Sequence, residues 1–409
     1  MSSSFRNPGI CAAGLCGAAV AALVCAPPVS AQQIAFVPQA EATAEWASNR
    51  ILTIPATSAS DESIKLGGDL LRISPRSNLD LRPLLTFQNG SIRNLDNIEA
   101  LVDFAGDYRT LKGEYTLNSE YHREDAYNAQ YGVAGFNTLN PNVPDTAGTG
   151  AVVTGLTKST YLFDTGFSYK FTQRWGIEGS ANFDAVRYST DISGDLVSYN
   201  SPYVGLDLVW VTSQTSQLGI GPYYTRFDPI RHDVGAQLSD DYGISASYRI
   251  RTSQLSTSTI TARLERDRSP LPGSGNDTTT TWALEWVGLQ KFLTSALRYS
   301  VGRFLEPSSF GGRTTEDQAR VQYTRTLSER LLFNSAVRFT RYTDVGNQNA
   351  GTRNRGNADL SLRVLITPLW YVSGGYRFAY QNLPSQPHAA SSNGVFITVG
   401  YHGREPPSN

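Results

Sequence analysis

The sequence predicts an all-β chain that forms a transmembrane, antiparallel, up-and-down outer-membrane barrel of about 18 strands, within a range of roughly 16 to 20. Three observations favour this fold class. Apolar and polar residues alternate with a period of two, short and long connections alternate between the strands, and no stretch after residue 31 is long and apolar enough for a transmembrane helix.

The N-terminal segment, residues 1–31, is predicted to be a cleaved secretory signal peptide. Arg6 supplies the positive charge, Ile10 to Val24 is apolar, and Val29-Ser30-Ala31 is a small-x-small cleavage site. All 3 cysteines of the chain lie in this segment. The segment predicts export to the bacterial outer membrane. Residues 32–403 are then the predicted barrel and residues 404–409 a short periplasmic tail.

The stretch from Ile366 to Gln381 shows the strand pattern. From Trp370 to Tyr380 every second residue is apolar or small, and the residues between them are mostly polar and include Arg377. One face of such a strand is apolar and the other is exposed to water. Aromatic residues lie at both ends of the apolar face, where membrane interfaces would be. This pattern predicts that Val372→Arg impairs assembly, whereas Arg377→Ser leaves assembly intact and alters ion selectivity.

The same alternation recurs along the chain, most clearly from Gly176 to Val186. Four polar residues, Glu178, Ser180, Asn182 and Asp184, share one face of this stretch. A packed core would have to pair each of them, so this face is predicted to be wet. The first two strands, predicted at Gln39–Ala47 and Ile64–Ile73, have the weakest pattern.

Short connections alternate with long polar ones. Thr172 to Arg174 and Ser328 to Arg330 are short, whereas Asp191 to Asn200 and Glu306 to Glu316 are longer. Outer-membrane barrels sort their connections in this way, with the short turns on the periplasmic side. Both termini of an even-stranded barrel are then periplasmic.

The inward face is predicted to carry charges of both signs around a water-filled lumen. Two hypotheses follow: an eyelet whose transverse field orients polar solutes, or a solvated lumen whose charges pair along the wall. The predicted lumen charges are Glu178, Asp184, Asp207, Arg249, Arg263, Glu265, Arg298, Arg338, Arg363 and Arg377.

The longest connection, Arg123 to Lys158, contains Tyr127, Tyr131 and Phe136. A connection of this length is usually functional or disordered. It is predicted to act as a gate, to contact substrate through its aromatic faces, or to be a mobile surface loop.

Other function classes find little support. The formal net charge of −1 gives no basic face for nucleic acid. Among the four histidines, His232 alone is followed by an acid, and no serine or cysteine accompanies them in a catalytic arrangement. We therefore expect no enzyme activity, no metal site and no cofactor.

Three stretches carry a family resemblance: ATAEWASNRI (Ala42 to Ile51), DLLRISPRSNLDLRPLLTF (Asp69 to Phe87) and YTRTLSERLLFNSAVRFTRY (Tyr323 to Tyr342). The layout resembles the β-barrel porin family of the second type, bacterial outer-membrane proteins often associated with exopolysaccharide export. The resemblance implies a pore for polar solutes in such an export system. The alternative is a structural platform of a secretion or envelope complex.

The implied partners are outer-membrane lipids, the outer-membrane assembly machinery, polysaccharide and periplasmic export proteins. One departure from aromatic-terminated barrels is that Tyr401 is followed by HGREPPSN. The assembly signal is therefore predicted at Val395 to Tyr401.

Overall fold

A computed structural model describes residues 33–92, 96–126, 156–189, 196–230, 238–253, 255–268, 278–308, 312–345, 351–384 and 386–403. The predicted signal peptide and the predicted tail lie outside these ranges. Within them, no helix is long and apolar enough to cross a membrane.

The described residues form 18 strands. These are β1 (Gln33–Ala47), β2 (Ala59–Ile73), β3 (Ser77–Gly90), β4 (Asn97–Arg109), β5 (Gly113–Asp125), β6 (Thr157–Lys170), β7 (Trp175–Tyr188), β8 (Tyr199–Val211), β9 (Ser216–Pro229), β10 (Ser239–Ser253), β11 (Ser256–Arg268), β12 (Thr278–Lys291), β13 (Ser295–Ser308), β14 (Gly312–Ser328), β15 (Leu331–Val345), β16 (Thr352–Leu365), β17 (Trp370–Asn382) and β18 (Ala390–His402).

The sheet closes into a barrel. Each strand pairs antiparallel with the next in sequence, and β1 also pairs with β18, from Gln39 opposite His402 to Ala47 opposite Gly394. Closure gives every strand a neighbour on both sides, which a sheet in hydrocarbon requires. The predicted fold class and the count of 18 strands are confirmed.

The two ends of the barrel differ. Connections such as 74–76 and 329–330 lie at one end, which we call the short-turn rim; β1 begins and β18 ends there. The other end, the long-loop rim, carries connections such as 48–58 and 126–156. The predicted sorting of short and long connections between the two rims therefore holds for these connections, whereas residues 309–311, between β13 and β14 at the long-loop rim, form a short one.

The outward face is apolar along the middle of the strands. Val395, Ile397 and Val399 of β18 are each about half exposed, at 54%, 56% and 45%. Near the short-turn rim, aromatic rings pair across neighbouring strands: Trp175 stacks on Trp210, with ring centroids 6.0 Å apart. A continuous exposed apolar surface of this kind is rare on soluble monomers.

Several strands extend further toward the long-loop rim than the sequence predicts. The predicted loop from Glu306 to Glu316 is wrong in its bounds, because β13 continues to Ser308 and β14 already begins at Gly312. At the short-turn rim, β1 also begins earlier than predicted, at Gln33 rather than Gln39. The backbone ladder needs hydrogen bonds and not apolar side chains, so it continues where the alternation of the sequence fades.

Candidate functional site

The ten charged side chains predicted to face the lumen lie on the inward face of their strands. On β10, for example, Tyr242, Ile244 and Tyr248 are exposed on the outward face, and Arg249 has the opposite parity. The same parity holds for the other nine: Glu178 and Asp184 on β7, Asp207 on β8, Arg263 and Glu265 on β11, Arg298 on β13, Arg338 on β15, Arg363 on β16 and Arg377 on β17.

Inward side chains from non-neighbouring strands meet across the sector from β7 to β10. Glu178 accepts a hydrogen bond from Gln217 Nε2 on β9 at 3.0 Å and lies 3.6 Å from Arg249 Nη1 on β10. Asp207 on β8 accepts one from Ser245 Oγ on β10 at 2.9 Å. These contacts skip one or two strands, so polar and charged side chains of this sector are linked to one another around the inner wall.

The neighbouring sector joins an arginine to aromatic rings and an acid. Tyr203 and Tyr223 stack with centroids 5.9 Å apart, and the Arg263 guanidinium lies 6.0 and 5.9 Å from their centroids. The hydroxyl of Tyr223 donates to Glu265 Oε2 at 2.7 Å. Tyr223 and Glu265 are buried in these contacts, whereas the ring of Tyr203 is partly exposed on the inward face.

A second group of charges lies where β1 and β2 approach β16 and β17. Arg377 Nη1 lies 2.6 Å from Glu45 Oε2, and its Nε lies 2.8 Å from Asp359 Oδ1. Arg50, in the connection after β1, contacts Glu45 at 2.5 Å and Asp61 at 2.8 Å. We call these five residues the Arg377 network. Its carboxylates are nearly fully buried, so each depends on these arginines for compensation.

The wall is incomplete on one side of β13. The β12–β13 ladder runs from Lys291 opposite Ala296 only as far as Leu284 opposite Arg303. Beyond that point β12 pairs with β11, and residues 304–308 of β13 pair with β14. We call this separation toward the long-loop rim the β12–β13 seam.

The end of the β13–β14 hairpin beside the seam leans over the lumen. Arg313, at the start of β14, forms an ion pair with Asp241 of β10, and both side chains are buried. Arg313 Nη2 also donates to the carbonyl oxygen of Leu305 at 2.9 Å. β10 and β14 are separated by three strands in the sheet, so this pair crosses the interior.

An apolar cluster lies at the same height. Val186, Tyr199 and Phe227, on the inward faces of β7, β8 and β9, are fully buried and pack together. The rings of Tyr199 and Phe227 have centroids 5.2 Å apart. Together with the Arg313–Asp241 pair, this cluster constricts the lumen near the long-loop rim.

Arg363 and Arg338 also have contacts on the inward face. The Arg363 guanidinium lies 4.2 Å from the centroid of the Tyr371 ring, and Arg338 Nη2 lies 3.7 Å from Glu316 Oε1. Tyr371 in turn donates a hydrogen bond to Glu41 of β1. Much of the inward charge is therefore engaged with other side chains of the wall.

Sequence reasoning did not identify Arg50, Glu45, Asp61, Asp241 or Arg313 as site residues. Arg50 and Arg313 fell in predicted connections, where strand parity gives no direction to a side chain. Glu45 could have been found, because it has inward parity on the predicted first strand, whereas Asp61 precedes the predicted start of the second strand at Ile64. Tyr127, Tyr131 and Phe136 lie outside the described residues.

The part of the chain that the structure describes contains no group of three or more His, Cys, Asp or Glu residues able to hold a metal ion. What the arrangement offers is a set of fixed charges and aromatic faces along a lumen. Such groups bind, orient and filter polar solutes.

Comparisons with known proteins give a general likeness in fold. No family model matches the chain, and no curated protein matches it. Among solved structures it is similar to OccK5 (OpdH) of Pseudomonas aeruginosa, with a TM-score of 0.44 and 11% identity, covering 90% of this chain and 98% of that one.

It is also similar to OccAB3 of Acinetobacter baumannii, with a TM-score of 0.41 and 10% identity over 90% of this chain and 98% of that one. A bacterial polysaccharide outer membrane secretin gives 0.34 and 10% over the same shares of the two chains. These scores carry no argument about function, which depends on the residues of this chain.

Proposed function

We propose that this protein is a bacterial outer-membrane barrel that forms a pore for polar solutes. The observation that carries the proposal is the closed ladder of 18 strands with exposed apolar residues outward and charged residues inward. Only helices and closed barrels satisfy every backbone polar group in hydrocarbon, and a barrel of this strand number is wider than its own side chains fill.

In this proposal the short-turn rim, with both ends of the described chain, faces the periplasm. The signal peptide of residues 1–31 is removed on export, and the outer-membrane assembly machinery recognises the end of β18, Val395 to Tyr401. The long-loop rim, with the constriction, faces outward.

The lumen favours a polar cargo that presents hydroxyl groups and flat apolar faces. Tyr203 offers a partly exposed ring beside Arg263, a combination suited to stacking and hydrogen bonding with sugars. The finer proposal is therefore an exopolysaccharide or its fragments. This agrees with the export role implied by the family resemblance, with periplasmic export proteins as partners.

Of the two hypotheses for the charges, pairing along the wall is favoured by the Arg377 network. The Arg313–Asp241 pair adds a different element, because it crosses the lumen rather than following the wall. We propose that it holds the pore in a narrow state.

Conductance of the refolded chain without residues 1–31, measured in planar bilayers, tests the pore. Stepwise conductance that falls when soluble oligosaccharide is added is expected. A barrel that inserts into the bilayer but conducts no current would disprove the proposed pore. The alternative, a structural platform, would then be favoured if the short turns crosslink to a periplasmic protein.

A further inference from the structure

The outward face carries two rows of charged residues at the border of its apolar surface, toward the long-loop rim. Each row consists of an arginine, an aspartate and an arginine on three successive strands. We propose that these rows bind the phosphate groups of lipids in the surrounding leaflet. The proposal rests on the proposed membrane location.

The first row is formed by Arg226 on β9, Asp240 on β10 and Arg268 on β11. Asp240 lies directly opposite both arginines in the two ladders. Arg226 Nε lies 4.0 Å from Asp240 Oδ1, and the hydroxyl of Tyr224 donates to the same oxygen at 2.6 Å. The Asp240 carboxylate is thus held in place, and Arg268 is exposed beside it.

The second row repeats the pattern with Arg303 on β13, Asp317 on β14 and Arg341 on β15. Asp317 again lies opposite both arginines. Arg303 binds it through two hydrogen bonds of 2.6 and 2.8 Å and lies 4.6 Å from the centroid of the Trp282 ring. Arg341 is exposed on the other side of Asp317.

Each row therefore has two cations and one anion, and Arg266, exposed on β11 opposite Tyr242, adds a further cation. Outward-facing arginines also occur at this rim on β5 and β7, where Arg123 and Arg187 lie opposite Ser159 of β6, but no aspartate lies between them. Continuing the second row in register, Arg341 is followed by Asn354 on β16 and Asn382 on β17, which are neutral.

The position of the rows favours lipid as the partner. Exposed Tyr224, Tyr242 and Trp282 lie one step closer to the apolar surface, where interfacial aromatic rings are expected. The arginines thus lie at the height of lipid headgroups, and they face away from the lumen, where a soluble cargo would pass.

The chemistry favours phosphate. A guanidinium matches phosphate oxygens with two parallel hydrogen bonds, and an aspartate that already orients one arginine lowers the entropy lost on binding. Uncharged headgroups would gain nothing from the net positive charge of each row.

The test measures lipid A bound per refolded barrel in neutral detergent micelles, by native mass spectrometry, with bisphosphorylated lipid A as probe. The variant Arg268→Gln/Arg341→Gln removes one arginine from each row. We expect the affinity at each row to fall about fivefold, since each basic residue near an anionic lipid contributes roughly fivefold. Dephosphorylated lipid A should bind the wild type no more tightly than the variant binds lipid A.

Arg249→Gln is the matched control, because Arg249 is also exposed but faces the lumen. An equal loss in this control, or unchanged affinity in the double variant, would overturn the proposal. If the barrel conducts in bilayers yet shows no preference for phosphorylated lipid, this proposal alone fails. If the barrel never enters a bilayer, the proposed function fails with it.

Discussion

Replacing Arg377 by serine measures how much a buried lumen arginine contributes to the stability of the barrel. Arg377 contacts Glu45 at 2.6 Å and Asp359 at 2.8 Å, and its side chain is 17% exposed. Its removal takes a charged hydrogen-bond partner from two buried carboxylates, Glu45 and Asp359, of which Glu45 keeps its contact with Arg50. Breaking a buried ion pair from one side costs about 3–5 kcal/mol. The structure thus replaces the sequence-based expectation that this substitution leaves assembly intact.

Arg249→Ser is the comparison. The Arg249 side chain is 48% exposed and lies 3.6 Å from Glu178, so its loss should cost at most about 1 kcal/mol. A third variant, Arg377→Ser with Asp359→Asn, should recover part of the stability, because it also neutralises one of the two buried carboxylates that lost the arginine.

The free energy of unfolding, measured by urea titration of each variant refolded in lipid vesicles, checks these expectations. Tryptophan fluorescence reports the transition, and heat-modifiable mobility on gels confirms folding. Equal losses for Arg377→Ser and Arg249→Ser, or no recovery in the double variant, would refute the assignment of Arg377 to a buried compensating role.

Three other substitutions test the faces, the selectivity and the constriction. Leu360→Arg, on the outward face, should destabilise the barrel by about 2–4 kcal/mol, whereas its inward neighbour Ser361→Arg should fold normally; similar urea midpoints for both would contradict the strand parity. Arg249→Ser removes a lumen cation and should shift reversal potentials in a salt gradient toward cation selectivity; an anion shift would count against its position. The pair Thr281→Cys and Glu306→Cys would be brought together if the β12–β13 register continued, and a disulfide between them should close the seam. Closure should draw the hairpin out of the lumen and raise the single-channel conductance until a reductant is added. Lower conductance on oxidation would show that the hairpin is not the constriction.

The alternation of the sequence was enough to predict the fold class and the face of most charged residues. Glu178 and Asp184 could be placed because four polar residues share their face within one strand. This information is local: a side chain two residues along a strand points to the same face whatever the rest of the chain does.

The constriction could not be predicted in the same way. Arg313 fell in a predicted loop, and its partner Asp241 is distant in sequence and separated from it by three strands in the sheet. The incomplete β12–β13 ladder is also not detectable in the apolar–polar alternation of the sequence, because both strands remain paired on their other edges.

The sequence by itself therefore determined that the chain is built of strands with one apolar face, which way their side chains point, and where short turns separate them. Only the tertiary structure decided which charges meet. The Arg377 network joins the first strands to the last ones because the sheet closes between β1 and β18. Such contacts depend on closure and on the curvature of the wall, which arise from all strands together and are not encoded in the period of any one of them.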